Sequence, residues 1–475
     1  MARINTNVSA LTAQRNLNQS YRLLGGSLER LSTGLRINRG KDDPAGLIVS
    51  ERLRGEVAAV RQAIDNSQRA SNIIATTEGA LNEVAALLTS IQELVVEAAN
   101  TGALSEDEIR ANQLEIDSAV ASITRIANST NFAGRTLLNG SLDYLTSGLN
   151  GTVVQALNIH GAQFGTQPFI PVVVNVVTSA QPGLLEFRSG TVASSVTIEL
   201  AGNKGVTTLS FVANTPASAV VRAINAVSDA TGVAATLSSN AAAGFTLRSQ
   251  ALGSRQFVSV QVLPGGGSFQ TYNDLGVIDP RDEGRDAVAT INGAQSIGDG
   301  NRLQLRTATL NLEMLLASSF GVGTTSFAIT AGGARFQLGP EVNSNLQVAV
   351  GVQSVAASRL GNADLGFLSQ ISTGEAFSLV SGNMAQASEI IREASRQVAV
   401  MRGRLGAFEK NTLDTNVNQL QITMENLTSA ESSIRDADFA YETSRLTRNQ
   451  VLVSAGTSVL ALANQTPQNV LQLLQ

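Results

Sequence analysis

The chain has 475 residues, of which 43% are hydrophobic and only 15% are charged. Its net charge of −5 at pH 7 does not favour a nucleic-acid partner. It contains no cysteine, which excludes a disulfide framework and a thiolate metal site. The length allows roughly three domains at about 150 residues each.

The N-terminal part is patterned as helix. Its first heptad stripe, with steps of three and four, predicts a helix that packs against a partner. The members of this stripe are Tyr21, Leu24, Leu28, Leu31 and Leu35. Pro44 is placed to open a second helix over 45–99, which would be about 80 Å long. Ser105 and Glu108 form a capping-box signal for a third helix.

The C-terminal part repeats this pattern. Ser372, with a glutamate three residues later, is a second capping-box signal and predicts that a helix begins there. An apolar heptad stripe runs from Val380 to Phe408, slips in phase near Thr412 and then resumes. Each stripe needs a partner to bury against, so we expect the two ends of the chain to fold together.

The last stretch, VLVSAGTSVLALANQTPQNVLQLLQ at 451–475, has no charged residue. Chain ends are usually solvated, so an uncharged end indicates a surface that other molecules cover. Polar residues and Pro467 interrupt it too often for a bilayer span, which needs about 20 mostly apolar residues. We therefore expect no membrane insertion. Apolar stripes at both ends suggest contacts between copies, and a heterologous contact that does not close builds a helical filament.

Residues from about 142 to 334 differ in period and composition. Short alternating runs such as SVTIEL at 195–200 and FVSVQVL at 257–263 predict strands, with one helix starting near Pro216. The predicted fold class is α+β. It combines a long α-helical coiled-coil or bundle stem, formed by both chain ends, with a β-rich inserted middle region.

Residues for catalysis are scarce. The single histidine, His160, cannot form an HExxH motif, and there is no cysteine nucleophile. We interpret His160 as structural, and the acidic clusters at 42–43 and 106–108 as turn and helix-start residues. LPGGGS at 263–268 lacks the Lys-Ser/Thr pair of a phosphate loop. We expect no catalytic residues, no cofactor and no metal site.

Five motifs lie in the two ends of the chain. They are ERLSTGLRINRGKDDPAG at 29–46, TTEGALNEV at 76–84, NSTNFAGRTLLNG at 128–140, SSIRDADFAYETSRLTRNQVL at 432–452 and AGTSVLALANQTPQNVLQLL at 455–474. Together they closely resemble the motifs of bacterial flagellin. FQLG at 336–339 resembles the start of the family's C-terminal hairpin, and residues 190–263 resemble a βαβ module often inserted in flagellins.

This resemblance implies a structural subunit of the flagellar filament, which self-assembles through its terminal helices into a helical tube used for swimming. Export would proceed through the flagellum's own type III apparatus, which fits an N-terminus without the pattern of a Sec signal peptide. The implied segments are 1–44 and 435–475 for coiled-coil assembly, 45–141 and 335–434 for the helical stem, and 142–334 for the surface-exposed variable insertion. The implied location is the extracellular flagellar filament.

The stripes and the resemblance together give candidate contact residues. The self-assembly candidates are Leu24, Leu28, Leu31, Leu35, Leu452, Val459, Leu460 and Leu462. The family's export chaperone would cover 451–474, with Val451, Leu460, Val470, Leu471 and Leu474 as candidates. A flagellar cap protein and the hook–filament junction protein are further implied partners.

The stretch LTSIQELVVEA at 88–98 resembles the segment of many flagellins that is read by a host Toll-like receptor. Its matching residues are Ile91, Glu93, Leu94 and Val96. Ser90 and Gln92 stand where receptor-stimulating relatives carry arginine. Loss of a bidentate donor at a hot spot costs roughly 2 kcal/mol or more. We therefore expect weak stimulation of this receptor.

Three other interpretations compete with the filament subunit. A hook–filament junction protein shares similar terminal helices, although the large insertion and the complete C-terminal motif favour a filament subunit. A flagellin with an enzymatic insertion would need more than one histidine. A secreted coiled-coil adhesin would expose a β-rich module without polymerising.

Overall fold

The computed structural model describes residues 6–165, 167–238, 244–264, 267–307 and 309–472, with the backbone alone for 466–472. The chain divides into two compact units, each described below by itself. The first comprises Met1–Arg69, Gln337–Val342 and Asn411–Gln475, and the second comprises Ala70–Phe336 and Asn343–Lys410.

Long helices come from both ends of the chain. They are α1 Val8–Thr33, α2 Pro44–Ala98, α3 Glu106–Ser129, α6 Met384–Phe408, α7 Thr415–Arg435 and α8 Phe439–Gln472. Two short helices lie in the middle of the chain, α4 Ala217–Ala226 and α5 Ser228–Thr231. With strands in the middle and helices at both ends, the α+β prediction is confirmed.

Local signals determine where α2 and α3 begin. α2 starts at Pro44 as predicted, because proline needs no hydrogen-bond partner for its nitrogen in the first turn. At the start of α3, the Ser105 hydroxyl accepts the Glu108 N–H at 3.3 Å, and the Glu108 carboxylate accepts the Ser105 N–H at 2.7 Å. The predicted capping box is therefore confirmed.

The second predicted capping box is wrong. α6 begins at Met384, not after Ser372, and short 3₁₀ turns at Leu368–Ile371 and Leu379–Ser381 occupy the intervening segment. The physical reason lies in α3. The buried Gln113 carboxamide donates to the Ile371 carbonyl at 3.0 Å and accepts the Leu379 N–H at 2.7 Å. A helix that began after Ser372 would instead have bonded the Leu379 N–H to the carbonyl four residues earlier.

The predicted phase slip near Thr412 corresponds to a π-helix, Glu409–Asp414, which joins α6 to α7. A π-helical turn contains an extra residue and rotates the stripe that follows it. In the first unit, α7 packs its resumed stripe against α2 through Leu420, which lies in one apolar cluster with Val60 and Ile64.

The middle of the chain supplies most of the strands. They are β1 Asn131–Phe132, β2 Arg135–Thr136, β3 Tyr144–Ser147, β4 Val154–Ala162, β5 Ile170–Thr178, β6 Leu184–Phe187, β7 Val196–Gly202, β8 Val206–Phe211, β9 Val233–Leu237, β10 Phe245–Ser249, β11 Phe257–Val262, β12 Arg281–Glu283, β13 Val288–Ile291, β14 Ala294–Gln295, β15 Ile297–Asp299, β16 Arg302–Arg306, β17 Leu310–Leu316, β18 Gly323–Gly332, β19 Ala334–Gln337, β20 Gln347–Val350, β21 Gly361–Asn362 and β22 Gly366–Phe367.

Two β structures in the second unit each have their own core. A five-stranded sheet, in the order β14-β13-β5-β18-β3, and a four-stranded sheet, β15-β16-β17-β4, contribute to one apolar cluster and form a sandwich. The other core joins β6-β10-β9, β12-β11-β7-β8 and the apolar face of α4. A βαβ module was expected at 190–263, and β7 to β11 together with α4 lie within that range.

By length and composition, one helix within the described ranges, α2, is apolar enough to cross a bilayer. This is weak evidence for a membrane span, because core helices of soluble proteins pass the same test.

Candidate assembly surface

Helices α1 and α8 of the first unit form an antiparallel pair. The Asn7 side chain donates to the Ala463 carbonyl at 2.8 Å, near the start of α1 and far along α8. Toward the opposite end of the pair, the Asn449 carboxamide lies 3.2 Å from the Ser27 hydroxyl. These two polar contacts fix the register of one helix on the other, as buried polar residues do in coiled coils.

The seam between these helices follows heptad spacing but contains many small and polar residues. Its buried and half-buried positions are Ala10, Ala13, Leu17, Ser20, Leu24, Ser27 and Leu31 on α1, and Glu442, Leu446, Asn449, Val453, Gly456, Leu460 and Ala463 on α8. At Gly456 an added Cβ would lie 3.1 Å from Leu17 Cδ1, so glycine permits a close approach of the helices.

A buried carboxylate also lies in the seam. The Glu442 side chain is only 5% exposed and lies 3.7 Å from the guanidinium groups of both Arg30 and Arg445. A buried acid is tolerated when opposite charges surround it, and such a group favours one register over its alternatives. The seam therefore specifies how α1 and α8 align, and it combines six large apolar residues with small and polar ones.

Further large apolar side chains lie outside the seam. The exposed set comprises Val8, Leu11, Tyr21, Leu23 and Leu28 on α1, and Phe439, Tyr441, Val451, Leu452, Val459 and Leu462 on α8. Several are more than half exposed, including Phe439 at 72% and Leu462 at 64%. Large apolar side chains exposed at this many positions along two helices indicate an interaction site. We call these eleven residues the apolar face of the helix pair.

The predicted assembly residues fall into two groups. Leu24, Leu31, Leu35 and Leu460 are half-buried, whereas Leu28, Leu452, Val459 and Leu462 are exposed on the apolar face. Among the chaperone candidates, Val451 is exposed and Leu460 is half-buried. Leu474 and the side chains of Val470 and Leu471 lie outside the described residues.

Sequence reasoning missed part of this surface. Ala13, Ser27 and Gly456 line the seam, but none of them is a large apolar residue. Val8 and Leu11 extend the apolar face toward the N-terminus. A search for the steps of three and four that admits alanine, serine and glycine would have found the seam.

The two segments that lead away from this pair run side by side. Leu35 and Asp436 form an antiparallel bridge, and the Arg36 N–H donates to the Arg435 carbonyl at 2.7 Å. The Ala437 N–H donates to the Gly34 carbonyl at 2.9 Å. Backbone hydrogen bonds thus join the segment after the C-terminal end of α1 to the segment before the N-terminal end of α8.

The receptor-like stretch lies on α2 in the second unit. Glu93 and Val96 are exposed and Leu94 is half-buried, but Ile91 is fully buried. Ser90 is exposed, whereas the Gln92 side chain donates to the Ser388 hydroxyl of α6 at 3.0 Å. Only part of the predicted recognition set therefore presents its side chains to solvent.

His160 belongs to a buried ion-pair network of the second unit. Its Nε2 lies 3.9 Å from a carboxylate oxygen of Glu313, and burial lowers the pKa of His160. Burial alone would raise the pKa of Glu313, but the nearby His160 and the hydrogen-bonded Arg302 guanidinium lower it to about 2. Among the described residues, no cluster of three or more His, Cys, Asp or Glu is arranged to hold a metal ion.

Comparison with known proteins identifies the family. The model of the bacterial flagellin N-terminal helical region matches residues 4–143, and that of the C-terminal helical region matches 388–474. A flagellin hook IN motif matches 195–250. Flagellin of Salmonella typhimurium is 30% identical over 509 residues that cover 99% of both chains. The chain belongs to the bacterial flagellins.

Other relatives agree with this assignment. B-type flagellin of Pseudomonas aeruginosa is 30% identical over 500 residues, again covering 99% of both chains. Among solved structures, the flagellar cap protein of Escherichia coli matches 46% of this flagellin and 64% of that chain at 20% identity. The TM-score of this match is 0.30.

The family determines the general function. This flagellin is a structural subunit that self-assembles into the flagellar filament, and it is not an enzyme. The predictions of a filament subunit and of a non-enzymatic protein are thereby confirmed. Which surfaces polymerise, and which other proteins they meet, are separate questions.

Proposed function

We propose that the apolar face of the α1–α8 pair is the surface through which copies of this flagellin polymerise. The observation that carries the proposal is that eleven large apolar side chains stay exposed although α1 and α8 already pack together through their seam. Full burial of one such side chain contributes roughly 1.5–3 kcal/mol. Burial of the remaining exposed area of eleven such side chains is comparable in size with the association cost of about 4–15 kcal/mol.

The uncharged end of α8 fits this role. Between Val451 and the end of the described helix there is no charged residue, so packing against neighbours buries no unpaired charge. Neighbours in a helical filament contact one another through different patches, so the contact repeats without closing. The exposed stripes on both helices can supply such patches.

The same surface needs cover before assembly. We therefore infer that an export chaperone binds the α8 tail, with Val451 as an exposed contact, because exposed apolar stripes promote aggregation. The further proposed partners are the cap protein and the hook–filament junction protein, and the proposed location is the extracellular filament. The segments 1–44 and 435–475 are the proposed assembly segments.

Electron microscopy of seeded assembly tests the polymerisation surface. We compare the unmodified chain with a Val459→Asn/Leu462→Asn variant, and with Leu462→Met as a matched control that keeps an apolar side chain. We expect filaments from the unmodified chain and the control, and none from the double variant. Circular dichroism of each monomer establishes that all three have folded.

Two results would contradict the proposal at different levels. Equal polymerisation of the double asparagine variant would show that this face is not the assembly surface. Failure of the unmodified chain to extend seeds would argue against polymerisation through any of its surfaces.

A second interaction rests on the surface of α2. We propose that the flagellin-sensing Toll-like receptor responds weakly to this protein, since Ser90 and Gln92 offer no guanidinium. The exposed Glu93 and Val96 remain candidates for direct contact, with Leu94 partly accessible.

A further inference from the structure

The second unit carries a rigid apolar turn at 273–278. Leu275, Val277 and Ile278 are 74%, 57% and 58% exposed. The Asn273 carboxamide oxygen accepts the N–H groups of Leu275 and Val277 at 3.1 and 3.0 Å. The Asn273 N–H donates to the Val277 carbonyl at 2.9 Å. The turn is therefore fixed by its own hydrogen bonds while it presents three aliphatic side chains to solvent. We call it the apolar turn.

Charges at the base of the apolar turn are paired within the chain. The Asp274 carboxylate lies 3.0 Å from the Arg285 guanidinium. Arg188 stacks over the Tyr272 ring at 4.5 Å and pairs with Glu186 at 2.9 Å. An apolar centre with a polar, internally satisfied rim is the usual composition of a protein–protein contact.

The five-stranded sheet of the sandwich has an unusual outer face. None of the residues in its strands β14, β13, β5, β18 and β3 is charged, although 15% of the whole chain is. Val173 and Val177 of β5 and Val288 of β13 are exposed, as is Val322 just before β18. Depletion of charge distinguishes the core of an interface from ordinary surface.

A groove opens beside this face. It has a volume of about 510 Å³ and is lined by Val288, Gln295, Ser296 and Ile297, of which Ile297 is 67% exposed. Its one carboxylate, Asp286, already accepts hydrogen bonds from the Ser254 and Gly300 N–H groups. This depression is wide and largely open to solvent, so side chains of another molecule can reach it. The groove therefore has room for aliphatic side chains and no unpaired charge to oppose them.

We propose that the apolar turn of one subunit packs into this groove on a neighbouring subunit of the same filament. The proposal rests on filament assembly, which keeps copies beside one another at a high effective concentration. A turn that meets a groove is a heterologous contact, the type that can repeat along a helical assembly. Within one copy, the turn and Ile297 are both exposed, so the chain does not fill its own groove.

Cross-linking in assembled filaments tests the contact. Because the chain has no cysteine, a Leu275→Cys/Ile297→Cys variant carries only the two designed thiols. We expect a short bis-maleimide to convert its filaments into a ladder of covalent oligomers longer than dimers. The matched control Val212→Cys/Ile297→Cys moves one thiol to a different exposed valine of the insertion, and we expect no ladder.

Other cross-linking results overturn the proposal. Intact filaments without a ladder would remove the contact while leaving filament assembly standing. Dimers from Ile297→Cys alone would show that the groove faces another groove. A ladder of equal length from the Val212 control would show that the reaction reports general proximity and not this contact.

A second measurement serves if a cysteine variant does not polymerise. We then measure the temperature at which filaments depolymerise for three variants: Leu275→Asp, Ile297→Asp and the double variant. We expect each single variant to lower this temperature and the double variant to lower it little further, since both substitutions remove one contact. Fully additive losses, or no loss, would contradict the proposal. Unchanged melting of the monomers shows that the folds are intact.

Discussion

The α1–α8 pair and the β sandwich distribute their large apolar side chains in opposite ways. In the sandwich, Val172, Val174 and Val176 of β5 point inward and are fully buried together with Leu312 and Ile329. In the helix pair, the seam mixes six large apolar residues with small and polar ones, and eleven further large apolar residues stay exposed outside it. The sandwich thus completes its core within one chain, whereas the helix pair, under the proposed assembly, would gain further burial from other copies.

This difference indicates that the two regions respond to different perturbations. The stability of the sandwich should depend on its own packing, and that of the helix pair on assembly, since binding of a partner stabilises only the state that it binds. The predictions that follow separate the two regions, in order of decreasing expected effect.

A cavity in the sandwich should have the largest effect on the monomer. Leu312→Ala removes a side chain that is only 1% exposed, and such changes cost about 2–5 kcal/mol. Thermal unfolding of monomers should show this loss, whereas Leu462→Ala on the apolar face should barely change it. Below the melting temperature, the Leu312 variant should still polymerise. If Leu312→Ala lost polymerisation while its monomer kept full stability, the assumed division between the sandwich and the helix pair would be wrong.

Acid should weaken the second unit through its buried ion-pair network. The pKa of Glu313 falls from 4.5 to about 2, so its contribution is present above pH 4.5 and is lost as the pH drops through about 2. This fall corresponds to roughly 3 kcal/mol at about 1.4 kcal/mol per pH unit. The pKa of His160 is also lowered, so stability begins to fall below its usual value of 6.5.

Thermal melts of the monomer between pH 7 and pH 2 measure this dependence. Glu313→Gln should flatten the part of the profile below pH 4.5, and His160→Gln the part just below pH 6.5. The exposed Glu283→Gln is the matched control and should leave the profile unchanged. An unchanged acid profile of the Glu313 variant would show that this network does not govern the acid response.

Overpacking of the seam should have a smaller effect, confined to the helix pair. At Gly456 an added Cβ already lies 3.1 Å from Leu17 Cδ1, so Gly456→Leu should cost about 1–3 kcal/mol. Hydrogen exchange of α1 and α8 amides should accelerate, while the sandwich amides keep their protection. Gly403→Leu, where an added Cβ meets nothing within 4 Å, is the matched control in α6. Because Gly→Leu raises helix propensity, propensity alone should slow exchange, and equal acceleration in both variants would show that overpacking of the seam is not the cause.

The same contrast explains which parts of the structure the sequence could predict. The starts of α2 and α3 depend on local chemistry at Pro44 and at Ser105 with Glu108, and both predictions were correct. At Ser372 the same local signal failed, because Gln113, distant in sequence, takes the backbone groups. The pairing of strands such as β4 with β17 depends on contacts between distant residues, which no local pattern specifies.

The candidate assembly surface was predictable only in part for a related reason. Hydrophobicity alone placed Leu28 and Leu24 in one stripe, but the structure separates them, with Leu28 exposed and Leu24 half-buried. The α8 partner decides which face becomes the seam, through contacts such as Ser27 with Asn449. A stripe in a sequence gives the period of a helix, whereas the identity of its buried face depends on the partner.

The receptor-like stretch of α2 provides the smallest expected effect, because it adds a contact and leaves the fold unchanged. Ser90 is exposed, so Ser90→Arg can present a guanidinium without disturbing the core, and we expect stimulation of receptor-bearing reporter cells to increase. Gln92→Arg should gain less, because it also removes the hydrogen bond to Ser388. Ser90→Ala is the matched control and should remain weak.

If the unmodified protein already stimulated as strongly as Ser90→Arg, the missing arginine would not be what limits recognition. The buried Ile91 would then leave Glu93 and Val96 as the side chains to test next.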